Sequence, residues 1–256
     1  MPFIQLAGDL KLNPVIRQIK SHSSVREFSS RNIERELLTE IIECGQAASS
    51  SNFVQACTVI RVQDEKNRAR IAAAAGEQRW VVEAAEFLVL CADMQRIQYC
   101  CKKSGLEYPP GYTEHFMVAT IDVALMGQNM LLAAESAGLG GVFIGGIRNN
   151  PQVIADCLKL PDQVYPVFGL CLGWPVRKME VKPRLNVEAV LHEDAYVLDT
   201  IPAQVDAYDL EMADYYAARE HRARASNWSQ QTATAVHGKR REHMLTFLQG
   251  RGFLKQ

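Results

Sequence analysis

The stretch TEHFMVATIDVALMGQNMLLAAESA, from Thr113 to Ala137, is the longest run in the chain that reads as a single helix. Its apolar residues fall on several faces instead of one stripe, so such a helix must be central to a core or to a subunit interface. Gly138 follows it, at the position where a left-handed residue commonly ends a helix. Asp122, Gln128 and Asn129 interrupt the run, which argues against a membrane span.

What surrounds this helix is enough to cover it. The chain has 256 residues, 48% of them hydrophobic and 22% charged, which suits a sizeable globular core. No Gly/Ser or Pro-rich linker divides it, so one domain over residues 1–256 is expected, with residues 1–14 as an N-terminal extension and about 203–256 as a helical C-terminal region. The net charge of -1 gives no reason to expect a nucleic acid or an anionic membrane as partner, and the basic positions Arg219, Arg222, Arg224, Lys239, Arg240 and Arg241 have few aromatic residues between them. Seven cysteines without a C-x-x-C pair suit a reducing cytoplasm, and most read as small buried hydrophobes. The six histidines show no H-E-x-x-H spacing, so a metal site has no support. The N-terminal MPFIQLAGDLKLNP lacks the apolar centre of a signal peptide.

Strands are expected at ACTVIRVQ, EFLVLCAD, GVFIG and VYPVFGLCLGWP, of which EFLVLCAD has the length and bounds of a fully buried one. Helices are expected at Asn13–Lys20, across ERELLTEIIECGQAA with Leu37, Leu38, Ile41, Ile42 and Cys44 on one side, after an Asp64 cap through Ala75, and up to Ser104. Further helices are expected from Pro151 to Leu158, at AQVDAYDLEMADYYAARE and at KRREHMLTFLQG, the last two separated by a polar stretch around Asn227 and Trp228. The mixed order, without a regular βαβ repeat, predicts an α+β sheet covered by helices.

GLGGVFIGGIRNN, from Gly138 to Asn150, contains five glycines and invites a dinucleotide-binding reading. The context is inverted, because that motif needs a strand before the glycines and a helix after them. Gly138, Gly140 and Gly141 are expected to cap the helix and turn the chain. Gly145 and Gly146 come at the end of a strand, where they either turn it or leave the backbone bare to a flat or charged ligand.

Several polar segments could hold an anion. In SHSSVREF, His22, Ser24 and Arg26 stand at i, i+2 and i+4 and share one face if the segment is extended. An imidazole, a hydroxyl and a guanidinium fork suit a phosphate monoester, and equally an ordinary capping loop with Arg26 in a surface salt bridge. Lys182 and Arg184 flank Pro183, which favours an extended backbone with both cations on one side, over an anion or in a solvated loop. Ser49 to Asn52 offer short hydrogen-bonding side chains after a helix, and Gln78 falls in the helical GEQRWVVEAAE.

Taken in order, H-x-S-x-R-x-F, S-S-S-N-F, G-E-Q, G-L-G-G-V-F-I-G-G-I-R-N-N, F-G-L-C-L-G-W-P and K-P-R resemble the oxygen-insensitive NADPH nitroreductase and flavin reductase family, and within it the major bacterial NADPH nitroreductases. The resemblance implies a homodimeric flavoprotein with a mostly antiparallel central sheet, a long central helix, a helical C-terminal extension and one FMN in each of two clefts at the subunit interface. By motif position, His22, Ser24 and Arg26 would grip the FMN phosphate and ribityl chain, and Ser50, Ser51, Asn52 and Gln78 would contact the cofactor. Ile144, Gly145 and Gly146 would lie against the flavin ring, with Lys182 and Arg184 near its pyrimidine edge and phosphate side. Arg219 and Arg224 match positions that receive the 2′-phosphate of NADPH. Ser23 stands where the family usually has arginine, and Asn52 where it usually has serine. The activity implied is hydride transfer from NADPH through FMN to nitroaromatics, quinones or related acceptors. Supply of reduced FMN to a partner is the first alternative, and flavin binding without turnover the second.

Overall fold

The computed structural model describes residues 13–219, 224–238 and 240–256. Most of the expected N-terminal extension, together with Arg222 and Lys239, lies outside them. Two compact units are present: one takes in the described residues up to Met179 together with Glu242–Gln256, the other is Glu180–Arg241.

The first unit opens with α1 (Pro14–Lys20) and α2 (Arg35–Gln46). Then follow β1 (Cys57–Arg61), α3 (Glu65–Ala74), α4 (Trp80–Glu83), β2 (Glu86–Asp93) and α5 (Gln95–Lys103). The long helix α6 (Thr113–Ser136) leads to β3 (Gly140–Ile144), α7 (Pro151–Leu158) and β4 (Val164–Gly173). The second unit holds α8 (Ile201–Ala218) and α9 (Trp228–Gly238), and α10 (Met244–Gly250) returns to the first.

The four strands pair in the order β1-β2-β4-β3, antiparallel throughout. Every residue of β2 is buried, as its apolar run predicts, and the register of β2 on β4 slips between Leu90 and Cys91. Pro166 sits at that slip, where its missing N–H leaves no gap in a regular ladder. α6 buries Ala119, Val123, Met126, Met130, Leu131 and Ala134 in this unit. Its approach to α2 is so close that a Cβ on Gly45 would stand 2.5 Å from Met130 Cγ. Leu38, Ile41 and Gly45 form the buried stripe of α2, whereas Cys44 faces outward; three of the seven cysteines, Cys91, Cys157 and Cys171, are buried.

Three local expectations are corrected. Gly138 does cap α6, with φ 85, its N–H donating to Glu135 O and that of Leu139 to Ala134 O. Gly140 and Gly141, however, are the first residues of β3, not part of a turn. They are glycines because Val25 lies against one, and Leu131 and Leu172 stand 2.8 Å from where a Cβ on the other would be. Gln78 is not helical: Gly76 and Glu77 take φ 88 and 55, which breaks the chain between α3 and α4. The stretch at Asn227 and Trp228 begins α9, since Asn227 Oδ1 accepts from Gln230 N–H and Trp228 packs edge-on against Tyr208 with ring centroids 5.6 Å apart.

Candidate functional site

His22 to Glu27 form neither helix nor strand, and Val25 between them is buried with its N–H donating to Gly141 O at 2.9 Å. His22 and Ser24 are half-buried and Arg26 is exposed. His22 Nδ1 pairs with Glu135 Oε1 at 2.6 Å, which ties this segment to the last turn of α6.

The turn that carries Gln78 comes to the same place. Arg26 Cζ stands 5.8 Å from the Trp80 ring centroid. Gly145–Asn149, a single 3-10 turn directly after β3, packs on the end of α3: Asn149 Nδ2 donates to Ala75 O at 3.2 Å, and a Cβ on Gly146 would collide with that same carbonyl. Ile144 is 2% exposed. Ile144 and Gly146 therefore have main chain, and not side chain, to offer a ligand, and Gly146 already has a structural reason to be glycine.

The Ser50 to Asn52 segment is anchored elsewhere on α6. Asp122, 2% exposed, accepts from Ser51 N–H at 3.1 Å and from Ala56 N–H at 3.0 Å, and Ser50 Oγ accepts from Gln55 N–H at 3.3 Å. Beside it lies a cavity of about 430 Å³ whose lining includes Ser49, Ser50, Cys57, Arg96, Asp122 and Met126. Burial, and then the Asp122 charge, push the Cys57 thiol above its ordinary pKa, so Cys57 is not a reactive thiolate there.

In the second unit Lys182 and Arg224 both meet Tyr216: Lys182 Nζ is 5.5 Å and Arg224 Cζ 4.6 Å from its ring centroid. Arg224 Nη2 also donates to Gln231 Oε1 at 2.7 Å. Burial alone would raise the Tyr216 phenol, but hydrogen bonds with Lys182, Gln231 and Arg224 outweigh it and its pKa is lowered. Arg184 does not join them. Its Nη1 donates to Lys182 O at 2.6 Å. Arg219 pairs with Glu180 at 3.4 Å, its guanidinium carbon 5.8 Å from the Tyr215 ring centroid.

The donors of the first unit fit the anionic end of a flavin nucleotide. His22, Ser24 and Arg26 are residue types that can bind a phosphate, and among the described residues the Trp80 indole N–H, beside Arg26, is buried without a hydrogen-bond partner. Trp80, Glu135 and Asp122 are the residues that sequence reasoning passed over. Asp122 had a visible signal, a carboxylate in the most apolar helix of the chain, which composition recorded only as an interruption.

Two family profiles match the chain: "Nitroreductase family" over residues 19–174 and "Nitroreductase family, C-terminal domain" over 182–256. The chain is 39% identical over 245 residues to the NADPH-flavin oxidoreductase of Vibrio harveyi, covering 96% of this chain and 100% of that one. It is 39% identical over 243 residues to the oxygen-insensitive NADPH nitroreductase of Salmonella typhimurium, covering 94% and 99%. The solved structure of NADPH:FMN oxidoreductase from Vibrio harveyi superposes with a TM-score of 0.86 at 38% identity, over 94% of this chain and 99% of that one. With a family profile over more than half of its residues and relatives at 39% identity along nearly all of its length, the chain belongs to the nitroreductase family.

Proposed function

We propose that the protein is an FMN-dependent oxidoreductase that takes hydride from NADPH and passes it to nitroaromatic, quinone or related flat electron acceptors. The observation that carries this reading is the meeting of the His22–Arg26 segment with Trp80, whose buried N–H lacks a partner among the described residues. The two relatives named for NADPH-dependent flavin and nitro reduction support the choice of chemistry. Bound FMN would supply the hydride transfer that no amino-acid side chain offers.

The chain's own residues then bind and orient. His22, Ser24 and Arg26 hold the phosphate and ribityl end, Ser50, Ser51, Asn52 and Gln78 hydrogen-bond the cofactor, and the backbone of Ile144, Gly145 and Gly146 lies along the ring. Lys182 and Arg184 supply positive charge to the cofactor, and Arg219 and Arg224 receive the 2′-phosphate of NADPH; motif position supports these four. Donor and acceptor occupy the site in turn, which gives ping-pong kinetics. No side chain acts as nucleophile or dedicated general acid, because solvent can protonate an exposed acceptor.

The working form is a homodimer. Met117, Ile121 and Leu125, spaced four apart on α6, are exposed at 49%, 52% and 43%, and Val15 and Ile19 of α1 are exposed at 57% and 52%. An apolar hollow of about 540 Å³ lined by Val15, Cys44, Ala47 and Leu132 adjoins α6 and α1. The other side of α6 is already in the core, so a second copy of the chain is the occupant of this face.

The test is the visible spectrum of the purified protein before and after anaerobic NADPH. A flavin band that NADPH bleaches is expected, with Arg26→Ala recovering little flavin. A colourless protein that cannot be loaded with FMN overturns the reading, and equal bleaching by NADH removes the assignment of Arg219 and Arg224. The relative named NADPH-flavin oxidoreductase favours one second reading, supply of reduced flavin, which requires free FMN to outcompete nitroaromatics in turnover.

A further inference from the structure

Asp122 projects from the middle of α6 into the core and uses both carboxylate oxygens, one on the amide of Ser51 and the other on the amide of Ala56. Between those two amides the chain does something unusual. Asn52, Phe53 and Gln55 all take left-handed backbone, with φ 46, 59 and 54, although none is glycine. Side chains with a Cβ adopt that region rarely, and three of them within four residues persist only where the surroundings over-determine the backbone. The surroundings here are polar and specific: the carboxylate grips the segment at its start and end, and Ser50 Oγ accepts from Gln55 N–H across the middle.

Sheet and helix contact alone would be served at least as well by an apolar residue at position 122. Burying a carboxylate is unfavourable unless hydrogen bonds compensate it, and the compensation observed comes from the amides of this one segment. Ser50, Ser51 and Asn52 belong to that segment, and Asp122 and Ser50 line the same cavity. We infer that Asp122 is a positioning residue for the cofactor site, holding Ser50, Ser51 and Asn52 in their binding conformation before any FMN arrives. This rests on the functional reading above, which makes those residues cofactor contacts.

The physical effect is preorganisation. A segment released from its clamp samples other conformers, and apparent affinity falls by the fraction of time spent in the competent one. In Asp122→Asn one oxygen is replaced by an amide N–H that faces a backbone donor, so one of the two grips is lost.

The experiment compares full-length wild type and Asp122→Asn, each stripped of FMN, by flavin fluorescence titration, circular dichroism and amide hydrogen exchange. Expected are a folded variant, a rise in the Kd for FMN of about tenfold to a hundredfold, and faster exchange at Ser51 and Ala56. Gln55→Gly in the Asp122→Asn background, where glycine takes the left-handed conformation freely, should recover part of the affinity. A folded variant with Kd within twofold of wild type overturns the inference, since a merely structural role would lower the thermal midpoint and leave binding unchanged. If Asp122→Asn does not fold, wild type decides: Ser51 and Ala56 amides already protected without FMN support the inference, and protection that appears only on FMN addition overturns it. Wild type that takes up no FMN at all overturns the functional reading, and the exchange data still decide whether the clamp exists.

Discussion

Gln163 has 8% exposure and a left-handed backbone, and it satisfies both ends of its amide: Oε1 accepts from Tyr108 at 2.9 Å and Nε2 donates to Gly252 O at 2.9 Å. Tyr108 is thereby kept in the core as a phenol. Burial, and then the nearby Cys101, push its pKa up to about 12. An acid held above its unfolded value contributes stability that is complete below the unfolded pKa near 10 and declines as pH rises toward the folded one. The thermal midpoints of wild type and Tyr108→Phe should therefore converge between pH 9 and 12; a constant difference would remove the linkage. The candidate site has a similar mixture of legible and hidden residues. His22, Ser24 and Arg26 stand out in sequence because their spacing is a local property. Trp80 does not, because its N–H, without a partner among the described residues, becomes meaningful only beside Arg26.

GLGGVFIGGIRNN shows the same division within a single stretch. Its cap is legible, since Gly138 needs only its own φ and the two preceding carbonyls. Three of the other four glycines have reasons that lie elsewhere in the chain: Val25 for Gly140, Leu131 and Leu172 for Gly141, and the Ala75 carbonyl for Gly146. Gly146→Ala should destabilise the protein by about 1–3 kcal/mol, because backbone cannot yield as a flexible side chain does. Gly250→Ala, where nothing lies within 4 Å, should change stability by about 0.5 kcal/mol or less. Urea unfolding of the two variants makes the comparison, and equal midpoints would show that the 3-10 turn moves away from α3 freely. The break at Gln78 was missed for a related reason. Glu77 is an ordinary helix former, and its φ of 55 follows from Gly76 before it and from the turn packed on Ala75.

α6 organises the first unit along its whole length. Asp122 and Glu135 stand thirteen residues apart on it, about 20 Å along the axis, and one holds the Ser51–Ala56 segment while the other holds His22. In the proposed homodimer a second copy of the chain would complete a cofactor cleft between these two points, with the exposed stripe of Met117, Ile121 and Leu125 as the contact. Ile121→Arg places two like charges across a two-fold interface and should give a monomer in sedimentation equilibrium, with FMN retention reduced in parallel. A dimer that survives this change puts the interface on another face.

Periodicity and caps fixed the elements from local information alone: the buried run of β2, the Asp64 cap of α3, the Pro151 start of α7 and the length of α6 all follow from preferences that act within a few residues. The ordered motifs carried the family and the chemistry it implies. Which glycines are needed for contact, which carboxylates hold the candidate site and which indole lacks a partner among the described residues depended on residues the fold brings together, as with Ala56 and Asp122, 66 positions apart, or His22 and Glu135, 113 apart. Such pairings leave no trace in spacing, because a hydrogen bond across the fold constrains where two residues meet and not where either stands in the chain.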